Sequence, residues 1–351
     1  MRMDDQDEEL RQTLEETKAS ILAVGCGGAG GNTISRFMET KPNDVNTLAI
    51  NTDAQDLLYA NADDKALIGR EITGGRGAGN DPDTGREAAL ESRDDLKERI
   101  RGANFVFVTC GLGGGTGTGA SPVVAKIAKR QNALTVAVVT LPFEVEGERR
   151  RQNAKKGLDE LKETVDTVVI IPDDNILKIA PDLPIARAFK VADEILINTI
   201  RGISELITKP GLINLDFADI RNILEENGIA KIGVGEADGE NRSTKAAEDA
   251  LKSPLLDTDI SNANKALVNI RGDSEMKLEE AQFITEQISS NLSYNAQITW
   301  GAYISDDLED RMQVLLLIPD VDSPWAHGTK ATERKEALKE IEEKLKHVGK
   351  S

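Results

Sequence analysis

The segment Gly111-Leu112-Gly113-Gly114-Gly115-Thr116-Gly117-Thr118-Gly119 decides how the rest of this 351-residue chain is read. It follows a strand-like run, Phe105 to Thr109, and precedes a helical pattern, Ser121 to Arg130. Without a Cβ, glycine lets backbone amides approach phosphate oxygens, and a helix N-terminus adds partial positive charge. An earlier stretch, VGCGGAGGN (Val24 to Asn32), contains Gly25-Cys26-Gly27-Gly28-Ala29-Gly30, a match to G-x-G-x-x-G between a strand at Ser20 to Val24 and a helix expected to start near Asn32. A third glycine segment, Gly74-Gly75-Arg76-Gly77-Ala78-Gly79-Asn80, reads as a flexible loop able to reach a terminal phosphate. One such loop serves a pyrophosphate; two, on neighbouring strands of a sheet in the usual order, can cradle a triphosphate from both sides. The chain has no G-x-x-x-x-G-K-[ST], so no P-loop lysine balances the charge. Amides, the Thr116 and Thr118 hydroxyls, helix dipoles and Mg²⁺ must carry it instead.

Outward from these loops, strand and helix alternate. Strand-like runs at Thr47 to Asn51, Thr135 to Leu141 and Thr167 to Ile171 join the two already named, with a helix such as Gln152 to Glu163 between them. Near-continuous apolar strands separated by helices imply a parallel sheet covered on both faces, the doubly wound α/β class. From Pro184 to Ile207 the apolar residues occupy more than one helical face, the pattern of a long helix buried between layers. Lys209-Pro210-Gly211 ends it, and Asp216-Phe217-Ala218-Asp219 opens another helix. Strands at Ile229 to Gly235, Lys265 to Ile270, Gln297 to Ile304 and Met312 to Ile318, with helices near Ser243 to Leu251 and Leu278 to Ile288, indicate a smaller C-terminal α+β domain with a mixed sheet. The expected organisation is an extension (1–19), a nucleotide-binding domain (20–183), a central helix (184–208), a loop and helix (209–228), the C-terminal domain (229–320) and a charged tail (321–351). Within that tail Leu338, Ile341 and Leu345 share one helical face.

Composition narrows the function. The formal net charge of −18 disfavours non-specific binding to nucleic acid or an anionic membrane, so an anionic ligand must be held locally. No apolar run is long enough to span a bilayer and the N-terminus MRMDDQDEEL lacks the pattern of a signal peptide, so a cytoplasmic protein is expected. Two cysteines, Cys26 and Cys110, match no zinc spacing, and both histidines, His327 and His347, lie in the last stretch, so no metal site is expected. The cysteines are expected at the ends of adjacent strands, as small filling residues.

GLGGGTGTG is the signature of the tubulin and FtsZ family of GTPases, and the chain resembles FtsZ from about Ser20 to Ile318. The resemblance rests on GGAGGN (Gly27 to Asn32), NTDAQ (Asn51 to Gln55), TLPFEVEGERR (Thr140 to Arg150), AFKVADEIL (Ala188 to Leu196) and NLDFADIR (Asn214 to Arg221), in that order. The wording FKVADE and LITKPGLINLDFAD is similar to archaeal members. The resemblance implies a GTP/GDP site formed by Gly28, Ala29, Gly30, Gly31, Asn32, Gly77, Ala78, Gly79, Gly114, Gly115, Thr116, Gly117 and Thr118, with Mg²⁺ held mainly through phosphates and water. It further implies that Glu146 accepts from the ribose, that Arg150 lies against the nucleotide, and that Phe189 stacks on a base whose edge Asp193 reads. Asp216, Asp219 and Asn214 would then orient the attacking water from the opposite end of the molecule, completing the site of the next subunit in a head-to-tail filament at the mid-cell division site. Division-site adaptors or membrane anchors are implied as partners, although neither a long linker nor a short apolar-basic peptide is visible in the sequence. Two other readings stay open from the residues: an NAD-dependent Rossmann oxidoreductase, with Asp53 as ribose acid, and a GTP-binding scaffold that does not hydrolyse.

Overall fold

Strands form the backbone of the molecule, and several of them are buried and apolar along their whole length. β1 (Ile21–Cys26), β2 (Val45–Asn51), β3 (Asp64–Leu67), β4 (Phe105–Gly111), β5 (Leu134–Leu141) and β6 (Thr167–Pro172) are followed by β7 (Gly228–Asp238), β8 (Lys265–Gly272), β9 (Gln297–Ile304) and β10 (Arg311–Pro319). The computed structural model describes residues 19–321 except 43, 173–174, 177–183, 210–214, 226–227 and 306. The expected tail helix from Thr329, the extension before residue 19 and the turn at Pro210-Gly211 lie outside the described residues.

The helices are α1 (Gly27–Thr40), α2 (Ala54–Tyr59), α3 (Arg70–Thr73), α4 (Pro82–Glu91), α5 (Arg93–Ile100) and α6 (Thr116–Arg130), then α7 (Glu148–Thr164), α8 (Ile185–Thr208), α9 (Phe217–Leu224), α10 (Arg242–Leu251) and α11 (Leu278–Ser289). One face of the parallel sheet packs on α4, α5, α6 and α7, through Ala88, Leu96, Val124 and Leu158. The other packs on α1, α8 and α9, through Ile34, Phe37, Ile200 and Ile223. With both faces covered, strands such as β1, β5 and β6 are buried at every residue, which is why their sequences do not alternate.

The strands form one ten-stranded sheet in the order β3-β2-β1-β4-β5-β6-β7-β10-β8-β9. Pairing is parallel from β3 to β7, antiparallel on both sides of β10, and parallel again between β8 and β9. The mixed C-terminal sheet is as the sequence indicated; its continuity with the parallel half is not. A short junction supplies that continuity, since β6 and β7 pair only through Thr167↔Gly228, Val168↔Ile229 and Val169↔Ala230. The second link is α8, whose 24 residues extend about 36 Å. Its Gly202 meets the C-terminal half so closely that a Cβ there would lie 2.6 Å from Leu315 Cδ2.

Order reverses between β1 and β4, which leave the sheet toward helices on opposite faces. In an open α/β sheet, that switch point is where the ends of the strands open a crevice for a ligand.

Candidate functional site

Both glycine loops converge at this switch point. The first is tighter than its sequence suggested: α1 begins at Gly27, directly after β1, and not near Asn32. GGAGGN therefore lies inside the helix, as its first turn and more, and supplies the leading amides that have no partner within it. The second loop likewise enters its helix at Thr116, ahead of the expected Ser121. The loops touch. A Cβ on Gly27, whose φ is +73°, would lie 2.7 Å from the Gly117 nitrogen, and one on Gly117 would lie 3.0 Å from the Cys26 carbonyl oxygen. Only glycine at both positions allows the two helix N-termini to meet.

An open cavity of about 830 Å³ lies over them. Gly28, Ala29, Asn32, Gly77, Ala78, Gly114, Gly115, Thr116 and Gly117 of the three glycine segments line it, together with Glu146, Arg150, Phe189 and Asp193. Four expected residues do not line it. Gly30 is a packing glycine, since a Cβ there would lie 2.5 Å from the Thr109 carbonyl oxygen. Gly31 is buried on α1, while Gly79 is exposed in its loop, with φ +58°. Thr118 is buried, and its hydroxyl accepts a hydrogen bond from Gly113 N at 2.9 Å, fixing the loop and not facing the cavity.

At the far end of the cavity α8 presents Phe189 and Asp193. The Phe189 ring is 41% exposed and stands edge-on to Phe143, with centroids 5.2 Å apart and planes at 84°, so its face is available for stacking. Asp193 Oδ1 accepts from the Thr33 hydroxyl at 3.0 Å, and Oδ2 accepts from Arg36. Thr33 and Arg36, which also line the cavity, went unassigned in the sequence. Their position just after the glycine loop on α1, one helical turn apart, was the only available signal. Burial pushes the Asp193 carboxyl above the ordinary aspartate value; the Arg36 charge and the Thr33 and Arg36 hydrogen bonds oppose that rise. Glu146 pairs with Arg150 one turn away and accepts from Phe143 N at 2.9 Å.

Asp53, the acid that made an NAD site conceivable, serves as a helix cap. Its Oδ1 accepts from Gln55 N at 2.9 Å and Asp56 N at 3.2 Å at the start of α2. Cys26 and Cys110 are fully buried at the ends of adjacent strands, as expected. Burial pushes the Cys110 thiol up to about 12, with the Ser121 hydrogen bond opposing, and burial followed by Cys110 raises Cys26, so both stay protonated near neutrality.

The acids of NLDFAD lie elsewhere. Asp216 caps α9, accepting from Asp219 N at 2.8 Å, and Asp219 returns the contact to Asp216 N at 3.4 Å. Asp216 is exposed and Asp219 half-buried; Asn214 is outside the described residues. The Phe217 ring rests 6.3 Å from that of Phe105, the first residue of β4, and Arg221 donates to the Asn132 carbonyl oxygen just before β5. The cavity, by contrast, opens past Gly111, the last residue of β4. Seven residues of strand separate those ends, about 20 Å at 3.3 Å per residue. The structure therefore brings the nucleotide-facing residues together and leaves Asp216 and Asp219 at the other end of the parallel strands.

A doubly wound sheet with two abutting glycine loops at its switch point, and no P-loop lysine, defines a nucleotide-binding α/β protein. Residues 20–181 match the model of the Tubulin/FtsZ family, GTPase domain, and residues 228–322 that of the FtsZ family, C-terminal domain. The chain is 55% identical over 322 residues to "Cell division protein FtsZ 1" of Thermococcus kodakarensis, covering 92% of this chain and 86% of the relative. It is 49% identical over 345 residues to "Cell division protein FtsZ" of Methanothermobacter thermautotrophicus, covering 98% and 91%. Among solved structures, an empty FtsZ dimer from M. jannaschii superposes with a TM-score of 0.86 at 52% identity, covering 90% of this chain and 92% of that one. The chain belongs to the FtsZ branch of the Tubulin/FtsZ family of GTPases. This membership, with its GTPase domain, sets aside the oxidoreductase reading.

Proposed function

We propose that the chain is a GTP-dependent, filament-forming protein of cell division that hydrolyses GTP at the contact between successive subunits. One observation carries this reading. The phosphate cavity and the acids Asp216 and Asp219 occupy opposite ends of the parallel strands, so one chain cannot bring them to the same phosphate. A second copy stacked head to tail can. The M. jannaschii relative, solved as a dimer, supports self-association of this fold.

In this reading the triphosphate lies across the helix N-termini of α1 and α6, its oxygens on the amides of Gly28, Ala29 and Asn32 and of Gly114 to Gly117. Glu146 leaves Arg150 to accept from the ribose hydroxyls, and Arg150 lies along the nucleotide. Phe189 stacks on the base. Asp193, held by Thr33 and Arg36, accepts from the guanine N1–H and its exocyclic amine. Adenine has no proton on N1 and would leave the carboxylate poorly paired, so the site favours GTP over ATP. Mg²⁺ would be held mainly by phosphate oxygens and water, its usual habit. When bound, the ion neutralises charge on the phosphates.

Asp216 and Asp219 of the next subunit, with Asn214, then orient and polarise the attacking water. Supplying them from outside keeps two carboxylates away from the triphosphate while it loads. Loss of the γ-phosphate weakens the contact that those residues helped to form. Adaptor or membrane-anchor proteins at the division site would position the filament in the cytoplasm; no described helix is long and apolar enough to cross a membrane. Phosphate release measured against protein concentration tests the reading. A threshold followed by a steep rise is expected. A rate per chain independent of concentration contradicts hydrolysis between subunits, and no release at any concentration returns the chain to a non-hydrolysing scaffold.

A further inference from the structure

Thr52 is fully buried beneath the second glycine loop, and its hydroxyl lies 2.6 Å from that of Thr116. Thr116 faces the cavity; Thr52 does not. The backbone of Thr52 also anchors the third glycine segment, its carbonyl oxygen accepting from Gly77 N at 3.1 Å and from the Thr73 hydroxyl at 3.3 Å. That carbonyl is therefore engaged, and among the described residues Thr116 Oγ1 is the sole hydrogen-bond partner of the Thr52 hydroxyl.

Each hydroxyl has one proton, and the pair can be wired in two ways. If Thr116 donated to Thr52, the buried Thr52 proton would have no acceptor, a desolvated donor left unpaired. If Thr52 donates to Thr116, the Thr52 proton is satisfied and the Thr116 proton turns into the cavity, toward the acceptor oxygens of a phosphate. From this we infer that Thr52 is a positioning residue: its hydroxyl, donating to Thr116, fixes the Thr116 hydroxyl as a donor to the phosphate chain of the bound nucleotide. The inference rests on the proposed placement of the triphosphate on the two glycine loops. It adds a residue one layer behind that site, on the segment Asn51-Thr52-Asp53. A hydroxyl already oriented by a buried neighbour loses less freedom on binding and is polarised toward stronger donation.

The test compares GTP affinity and hydrolysis rate in Thr52→Val, Thr52→Ser, Thr116→Val and the Thr52→Val/Thr116→Val double variant of the full chain. Valine keeps the shape of threonine and removes its hydroxyl. Thr52→Ala makes the same deletion with less bulk, should the valine protein melt early. The expected result is a loss of about ten-fold in hydrolysis or GTP affinity for Thr52→Val, the scale of one hydrogen bond to a charged group. Thr52→Ser should recover most of it, and the double variant should be no worse than Thr116→Val, because the two hydroxyls act as one unit. Wild-type behaviour in both Thr52→Val and Thr52→Ala, beside an impaired Thr116→Val, overturns the inference and leaves the triphosphate reading standing. Losses that add in the double variant also overturn it. Failure of the wild-type chain to bind GTP at all would instead remove the reading beneath it.

Discussion

At the scale of single residues, the proposed site assigns base choice to the carboxylate of Asp193. Asn at this position presents an amide whose N–H can donate to a carbonyl, so Asp193→Asn should shift preference from GTP toward XTP, whose base has a carbonyl in place of the amine. Competition binding with the two nucleotides measures it, and unchanged preference would show that another group reads the base. The direction of the Asp193 shift adds a pH dependence. Its pKa lies above the ordinary aspartate value, so on acidification it gains a proton before an exposed aspartate does and loses acceptor capacity. GTP affinity should therefore begin to fall at a higher pH than the ordinary aspartate range, and Asp193→Asn should flatten that limb of the profile. Phe189 and Asp193 were legible in the sequence through their i, i+4 spacing within a family motif. Arg36 and Thr33 were not, because a charged and a hydroxyl residue on the first helix could equally have faced solvent. Only the fold shows that α8 crosses α1 there and brings Asp193 against them.

At the scale of elements, the start of α9 is a helix cap and, in the proposed reading, half of a catalytic site, and substitution can separate the two. Asp216 and Asp219 form a reciprocal cap, worth about 0.5–2 kcal/mol for the side chain of such a residue. Asn caps about as well as Asp but has no charge. Asp216→Asn should thus change stability by only a few tenths of a kcal/mol, while GTP binding and filament formation persist and hydrolysis largely disappears. Asp216→Ala should lose hydrolysis and the cap together. Denaturant midpoints, sedimentation with GTP and phosphate release distinguish these outcomes; an active Asp216→Asn would reduce the acid to a structural cap. The glycine loops show what sequence reading does well and where it stops. Their glycine density announced phosphate binding, yet which glycines contact ligand and which permit close packing depends on neighbours distant in sequence. Gly30 against the Thr109 carbonyl is of the second kind. Helix starts were placed late for the same reason: with no side chains to show periodicity, a first turn made of glycine looks like loop.

At the scale of the molecule, the two halves recognised in the sequence share one sheet and one long helix. The sequence could not show this continuity, since the β6–β7 junction involves three residue pairs whose apolar character is no different from that of any strand. The other tie is electrostatic. Glu205 on α8, with its side chain 1% exposed, pairs with Arg201 of the same helix at 3.0 Å, with Lys209 just past its end at 2.8 Å, and with Arg271 of β8 at 3.3 Å. Removing the carboxylate leaves the nearly buried Arg271 without this partner, though Asp307 still pairs with it at 3.1 Å. Breaking a buried pair costs on the order of 3 kcal/mol. Glu205→Ala should destabilise the chain by about that much or somewhat less, as read by urea unfolding, with GTP affinity unchanged because the cavity lies along a different stretch of α8.

Head-to-tail stacking is a heterologous contact, in which one end of each subunit completes the other end of its neighbour. A single-turnover mixing experiment asks whether hydrolysis occurs across that contact. Asp216→Ala protein is loaded with γ-labelled GTP, freed of excess nucleotide, and mixed with wild-type protein in a large excess of unlabelled GTP, so that any labelled nucleotide released is diluted before it can rebind. A burst of labelled phosphate is expected on mixing, because the intact acids of wild-type subunits close the loaded pockets of the variant. If labelled phosphate forms no faster than when more Asp216→Ala protein is added in place of wild type, the neighbouring subunit does not complete the site and hydrolysis between subunits is contradicted.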